Sequence, residues 1–128
     1  DGNAPCYRTY ACADGGHFAV AAVEGKFWSN VTRALGHPEW QTRQFDPTLI
    51  PDVAAVFAER TRDQWAAALD AADTCATPVR TSGELLTDPH IAERGSLIRH
   101  PHPDGDLWQV APPFVIADRT PNEENAHA

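Results

Sequence analysis

The chain has 128 residues, of which 42% are hydrophobic and 22% charged, and its formal net charge is −8. This length and composition predict one compact domain with its own core, below the size at which a large active-site cleft usually forms. The acidic balance and the scattered basic residues argue against nucleic-acid and anionic-membrane partners, because both need clustered Lys and Arg. No apolar run is long enough to cross a bilayer, and we expect a cytoplasmic protein.

The first predicted element is a β-hairpin. Residues 6–12 are rich in strand formers, and residues 18–23 are apolar throughout. Asp14 and Gly15 lie between these segments and suit the positive φ angles of a tight turn. Two antiparallel strands therefore open the domain.

Apolar residues at helical spacing follow the hairpin. Phe27, Val31 and Leu35 recur at four-residue intervals, and Gly36 is a typical C-terminal stop. This pattern predicts an amphipathic helix of about three turns. Residues 37–47 contain two prolines and mixed polarity, which predicts an ordered loop.

Helix-start patterns mark the middle of the chain. A helix is predicted from near Pro51, with an apolar face that includes Val53 and Phe57. Two capping boxes and one capping carboxylate before a proline predict three further helix starts. These patterns are Thr61 with Gln64, Thr81 with Glu84, and Asp88 before Pro89.

The remaining segments predict short strands and a frayed end. Residues 75–79 suit a strand or extended segment, and residues 96–99 and 107–110 suit two strands joined by a proline-rich turn. From Asp118 the sequence becomes polar, and residues 122–128 are expected to form a disordered tail. Strands at both ends with helices between them predict an α+β fold, with a small antiparallel sheet and several short helices.

The cysteines and histidines give no sign of a metal or redox site. Cys6, Cys12 and Cys75 form no CxxC pair, so we interpret them as reduced, buried thiols in a reducing compartment. His100 and His102 alternate with prolines, a pattern that favours loop geometry over metal binding. We expect no metal.

Glu24 is the residue best placed for chemistry. It lies between the apolar strand and the following helix, where a carboxylate can cap the helix and interact with its dipole. Flanking apolar residues could instead desolvate the carboxyl and raise its pKa into the range useful for proton transfer. The residues alone leave both interpretations open.

Several motifs in order resemble a known family. After an aromatic-rich strand and an Asp-Gly turn come Phe-Ala-Val-Ala-Ala-Val and Glu24, followed by three blocks: Phe57–Trp65, Ala72–Val79 and Asp88–Gly95. This series is similar to the small domain of the family III CoA transferases (CaiB/BaiF), and most similar to the α-methylacyl-CoA racemases. The resemblance covers residues 4–121.

The resemblance assigns one catalytic position in the chain. It places Glu24 on the active-site glutamate of the racemases, with Phe27 on the aromatic residue that follows it. Gly25 and Lys26 replace the family's Pro-Gln, which removes a helix-starting proline and adds a cation. Cys75 is interpreted as a buried thiol, and Arg94 as a helix-end or interface cation. The substrate-binding residues stay unknown.

The resemblance also implies that the chain is one part of an enzyme. Residues 1–121 would form the small domain, and the large domain, with most of the CoA-binding and catalytic groups, would lie outside the chain. The implied reaction is 1,1-proton transfer at the α-carbon of a 2-methylacyl-CoA, with no cofactor other than this substrate. The full-length protein is expected to be a homodimer, and the chain alone inactive. The alternatives are part of a CoA transferase that acts through an acyl-aspartyl intermediate, or a non-catalytic binding or assembly module.

Overall fold

The computed structural model describes residues 2–114 of the chain, which divides into two compact units between Val79 and Arg80. The first unit contains three strands, three α-helices and two short 3-10 helices. In chain order these are β1 (Tyr7–Ala11), β2 (His17–Ala21), α1 (Gly25–Ala34), the 3-10 helices Pro38–Arg43 and Pro47–Leu49, α2 (Ile50–Phe57), α3 (Arg62–Asp70) and β3 (Ala76–Pro78). The second unit contains α4 (Ser82–Leu85), α5 (Pro89–Glu93), β4 (Leu97–His100) and β5 (Leu107–Val110).

The first unit is built on an antiparallel sheet with the strand order β1-β2-β3. The predicted hairpin is confirmed, with Tyr10 opposite Phe18, and Phe18 in turn opposite Pro78 on β3. Gly15 has a φ of +78° in the turn, which a residue with a side chain rarely adopts, whereas Asp14, for which a positive φ is also predicted, does not have one. Because side chains alternate along a strand, Tyr10, Phe18 and Val20 face the core while their neighbours face outward.

One face of this sheet packs on the core formed by the helices. Phe57 of α2 lies at the centre of an aromatic cluster, with its ring 4.8 Å from Tyr10, 5.9 Å from Phe18 and 5.2 Å from Trp65. Apart from Pro5, the buried apolar residues lie between positions 6 and 69. They are Cys6, Tyr10, Cys12, Phe18, Val20, Ala22, Trp28, Val31, Leu35, Trp40, Leu49, Val53, Val56, Phe57, Trp65 and Leu69.

The helix starts follow the predicted capping chemistry. Thr61 and Thr81 form complete capping boxes with the residues three positions later, and Asp88 accepts hydrogen bonds from two backbone N–H groups of α5. Residues 37–47 are more regular than the predicted loop, because proline at a first helical position favours helix entry and starts the 3-10 helix Pro38–Arg43.

The second unit has short elements and no buried residue among positions 80–114. Strands β4 and β5 form a separate two-stranded antiparallel sheet, as the sequence predicted. Large apolar side chains are exposed on this unit: Leu86, Ile98, Leu107, Trp108, Val110 and Phe114. A two-stranded hairpin is marginally stable by itself.

The predicted fold class is confirmed, since short antiparallel sheets combine with several helices. The polar tail predicted from Asp118 lies outside the described residues. Within residues 2–114, no helix is long and apolar enough to span a membrane.

Candidate active site

Glu24 lies where the chain leaves β2 and enters α1. Its backbone is extended, with φ −75° and ψ 135°, and it occupies the N-cap position of the helix. The Glu24 carbonyl oxygen accepts hydrogen bonds from the N–H groups of Phe27 (3.0 Å) and Trp28 (3.2 Å). The backbone of the residue is therefore fixed to the first turn of the helix.

The side chain of Glu24 is exposed and does not cap the helix. Within residues 2–114 its carboxylate has no hydrogen-bond or ion-pair partner, so the capping interpretation is wrong for this side chain. The expected desolvation is also not provided by the described residues, because the carboxylate is open to solvent. The result is a free carboxylate on an anchored backbone.

Lys26, the cation that departs from the family pattern, is directed to an aromatic ring. Its Nζ atom lies 4.2 Å from the centroid of the Phe27 ring, which is a cation–π distance. Among the described residues it forms no ion pair with Glu24. Lys26 thus leaves the carboxylate unpaired.

Helix α1, which carries this site at its start, is held by Trp28. The Trp28 side chain is fully buried, and its Nε1–H donates to the Trp40 carbonyl at 3.1 Å. On the same helix, the Asn30 amide donates to the Asp73 carbonyl at 3.0 Å. These contacts fix α1 against the 3-10 helix on one side and the approach to β3 on the other.

The last residues before Glu24 are held by four further hydrogen bonds. The Ala21 N–H donates to the Cys75 carbonyl at 3.0 Å, and the Ala22 N–H donates to the Cys6 carbonyl at 2.9 Å. Gln44 reaches the same segment with its side-chain amide, which donates to the carbonyls of Ala22 and Val23. Sequence reasoning missed Gln44, because a single glutamine 20 positions away gives no periodic or motif signal.

The cysteines divide into two groups. Cys6 and Cys12 are buried as predicted, and burial raises the pKa of both thiols. The prediction that Cys75 is buried is wrong: it is exposed and has a φ of +49°, in a turn where Asp73 also has a positive φ. The turn directs the Cys75 side chain outward while its carbonyl pairs with β2.

The other residues singled out in the sequence lie in the second unit. Arg94 is the C-cap of α5, which confirms its interpretation as a helix-end cation. His102 is paired locally, because its Nδ1 accepts from the Asp104 N–H at 3.3 Å. Residues 2–114 contain no group of three or more His, Cys, Asp or Glu side chains placed to hold a metal.

The residue before Glu24 is apolar and partly open to solvent, since Val23 is 49% exposed. A carboxylate at such a place can exchange a proton with a group that another surface brings to it, and an apolar covering would remove water from the contact.

Comparison with known proteins places this site in context. The family described as CoA-transferase family III matches residues 1–127. The α-methylacyl-CoA racemase of Mus musculus is 36% identical over 126 residues, which are 94% of this chain and 32% of that protein. The racemase of the same name from Homo sapiens is 39% identical over 103 residues, or 77% of this chain and 27% of that protein. The chain thus spans about a third of the length of these relatives.

Solved structures agree with the fold. A CAIB/BAIF family protein from Brucella suis superposes with a TM-score of 0.66 at 23% identity, over 92% of this chain and 32% of that one. Rv3272 from Mycobacterium tuberculosis superposes with a TM-score of 0.70 at 19% identity, over 87% of this chain and 34% of that one. At these identities the likeness concerns the fold alone.

Proposed function

The chain belongs to CoA-transferase family III, as the sequence resemblance predicted, and on that premise we propose that it is the small-domain part of an acyl-CoA racemase. The substrate class would be a 2-methylacyl-CoA thioester, and the reaction a 1,1-proton transfer at its α-carbon. Two curated relatives carry the name α-methylacyl-CoA racemase, which favours this branch of the family.

The reaction divides naturally between this chain and a second surface. The thioester carbonyl acidifies the α-hydrogen, a base removes it, and an acid returns a proton to the opposite face of the enolate. Glu24 would assist proton transfer at this site, and the acid/base pair would come from the large domain. That domain would belong to the remaining part of a longer parent or to a partner chain. Assembly into a homodimer and a cytoplasmic location are expected of that parent.

The observation that carries the proposal is the state of the Glu24 carboxylate. The side chain is exposed and unpaired within residues 2–114, while the backbone beneath it is held by several hydrogen bonds. A carboxylate that serves only structure would gain from the helix N–H groups beside it, as a capping residue does. Glu24 makes no such bond, which fits a group whose partner lies on another surface.

The exposed apolar residues of the second unit support the proposal that another surface covers this unit in the parent protein. Val110 is 74% exposed and Phe114 70% exposed, and positions 80–114 bury no residue. Exposed apolar side chains that lie together are typical of an interaction surface, and this short unit carries several large ones. A large domain from the rest of the parent would supply the covering that this unit needs.

Deuterium exchange at the α-carbon tests the proposal. The 128-residue chain would be incubated with a 2-methylacyl-CoA in deuterated buffer, alone and mixed with a separately made large domain of the same parent. We expect incorporation only in the mixture, and a loss of about a hundredfold for Glu24→Gln, the lower end of the effect of a group that takes part in proton transfer.

The control for Glu24→Gln is Glu59→Gln. Glu59 is also exposed on the first unit, so its neutralisation changes net charge equally and should leave the exchange rate unchanged. Association of chain and large domain is verified by sedimentation. An associated mixture without exchange would refute the racemase proposal and leave CoA transfer or a binding module.

CoA transfer between carboxylic acids is the second candidate. It is favoured by the family's description and by a Caenorhabditis elegans CaiB/baiF CoA-transferase family protein, 35% identical over 98 residues, which are 77% of this chain and 29% of that protein. Its nucleophile, an aspartate that becomes acylated, would lie outside this chain. A mixture that moves CoA to a free acid, but exchanges no α-proton, would establish this reaction instead.

A further inference from the structure

Gln44 makes an unusual double contact beside the proposed site. It is the half-buried C-cap of the 3-10 helix Pro38–Arg43, and its Nε2 lies 3.0 Å from the Ala22 carbonyl oxygen and 2.7 Å from that of Val23. An amide nitrogen carries two hydrogens and can serve both acceptors. The opposite orientation of the amide would place its oxygen against two carbonyl oxygens with no hydrogen between them, so chemistry fixes the orientation.

These two carbonyls belong to the residues that leave the sheet. The ladder between β2 and its neighbours ends at Ala21, and Glu24 begins the helical turn. Between them the Gln44 side-chain amide donates to two successive carbonyls, those of Ala22 and Val23. The backbone that leads into Glu24 is thereby set by a side chain from another element.

The end of β2 is also tied to the segment that precedes β1. The Cys6 carbonyl accepts the Ala22 N–H at 2.9 Å. The N–H of Ala22 is thus held by Cys6, and its carbonyl is held by Gln44.

We propose that Gln44 is a positioning residue for Glu24, which sets the location of the carboxylate by holding the carbonyls of Ala22 and Val23. This inference rests on the proposed function. The Glu24 side chain has no partner of its own among residues 2–114, so its placement depends on the backbone alone. Proton transfer needs contact at hydrogen-bond distance, and a displacement of about 1 Å can cost roughly a hundredfold in rate.

The test uses Gln44→Glu, a change of nearly equal size that replaces the donor with an acceptor. The matched control is Gln41→Glu, at an exposed position of the same 3-10 helix. A second variant, Gln44→Asn, keeps a neutral amide but is one methylene shorter and cannot reach both carbonyls. Each would be measured for α-proton exchange in the assembly of the chain with its large domain. Amide hydrogen exchange at Ala22 in the chain itself reports the anchoring contacts directly.

We expect Gln44→Glu to lower kcat by about tenfold or more, to leave KM within about twofold, and to expose the Ala22 amide to exchange. Gln44→Asn should have a smaller effect in the same direction, and Gln41→Glu should behave as the wild type. In a Glu24→Gln background the Gln44 change should have no further effect on kcat, because no carboxylate is left to position.

Two results would overturn the inference. An equal loss of kcat in both backgrounds would make Gln44 a general structural residue, and an unchanged kcat with a deprotected Ala22 amide would make its contacts irrelevant to the site. If Glu24→Gln itself leaves the rate unchanged, the role of Glu24 in the proposed function fails, and the positioning role fails with it. An unchanged rate for Glu24→Gln differs from the two results described first, so a failure of the proposed function can be distinguished from a failure of the positioning role alone.

Discussion

The aromatic cluster around Phe57 gives the sharpest prediction for stability. Phe57 is fully buried and its ring packs against those of Tyr10, Phe18 and Trp65, with the Tyr10 ring nearly parallel at 4°. Phe-to-Ala changes in cores cost about 3–5 kcal/mol, and each aromatic pair adds roughly 0.5–1.5 kcal/mol beyond its buried area. Because the substitution removes the ring that all three pairs share, we expect Phe57→Ala to lower the free energy of unfolding by about 4–5 kcal/mol.

Urea unfolding followed by tryptophan fluorescence measures this decrease. At a slope of about 1.5–2 kcal/mol per molar urea, the midpoint should fall by roughly 2–3 M. Phe45→Ala is the control, because Phe45 is 63% exposed and its truncation should change stability by less than about 0.5 kcal/mol. A decrease below about 2 kcal/mol for Phe57→Ala would refute the view that this cluster is the centre of the core.

Two further predictions concern titratable groups. Under native conditions a thiol reagent should modify the exposed Cys75 rapidly, and the buried Cys6 and Cys12 only after the protein unfolds. The Cys75→Ser variant should lose the rapid phase of labelling. Rapid labelling of a second thiol in the native protein would contradict the burial of Cys6 and Cys12. Burial raises the pKa of the Tyr10 phenol above its value in the unfolded chain, because the folded state favours the neutral form. The neutral phenol therefore contributes fully to stability below about pH 10, and this contribution is lost as the pH rises through the folded-state pKa. Urea midpoints measured across alkaline pH should fall less steeply for Tyr10→Phe than for the wild type, and parallel curves would disprove this linkage.

The exposure of Glu24 bears on when the proposed reaction could take place. Its backbone is held in place while its side chain is exposed to solvent, and the neighbouring Val23 side chain is partly exposed. Low-dielectric surroundings strengthen electrostatic interactions at the moment of proton transfer. In the proposed enzyme this environment would form only when a second surface covers the site, so the reaction would be confined to the assembled protein.

Local chemistry in the sequence determined the elements. The hairpin around Asp14 and Gly15, the helix stop at Gly36 and the capping boxes at Thr61 and Thr81 depend on residues within a few positions of one another. Such interactions are the same in any tertiary context, because turn and cap geometry is set by short-range hydrogen bonds and φ preferences. The order of motifs also identified the family.

Only the tertiary structure decided how the site is supported and which side chains are exposed. Gln44 contacts Ala22 and Val23 across about 20 positions, and the Cys75 carbonyl pairs with Ala21 while its side chain faces solvent. A local sequence pattern specifies the residue type but not which distant backbone group will face it, since that depends on how the sheet and helices pack. Composition therefore predicted a buried thiol at Cys75, and packing turned it outward.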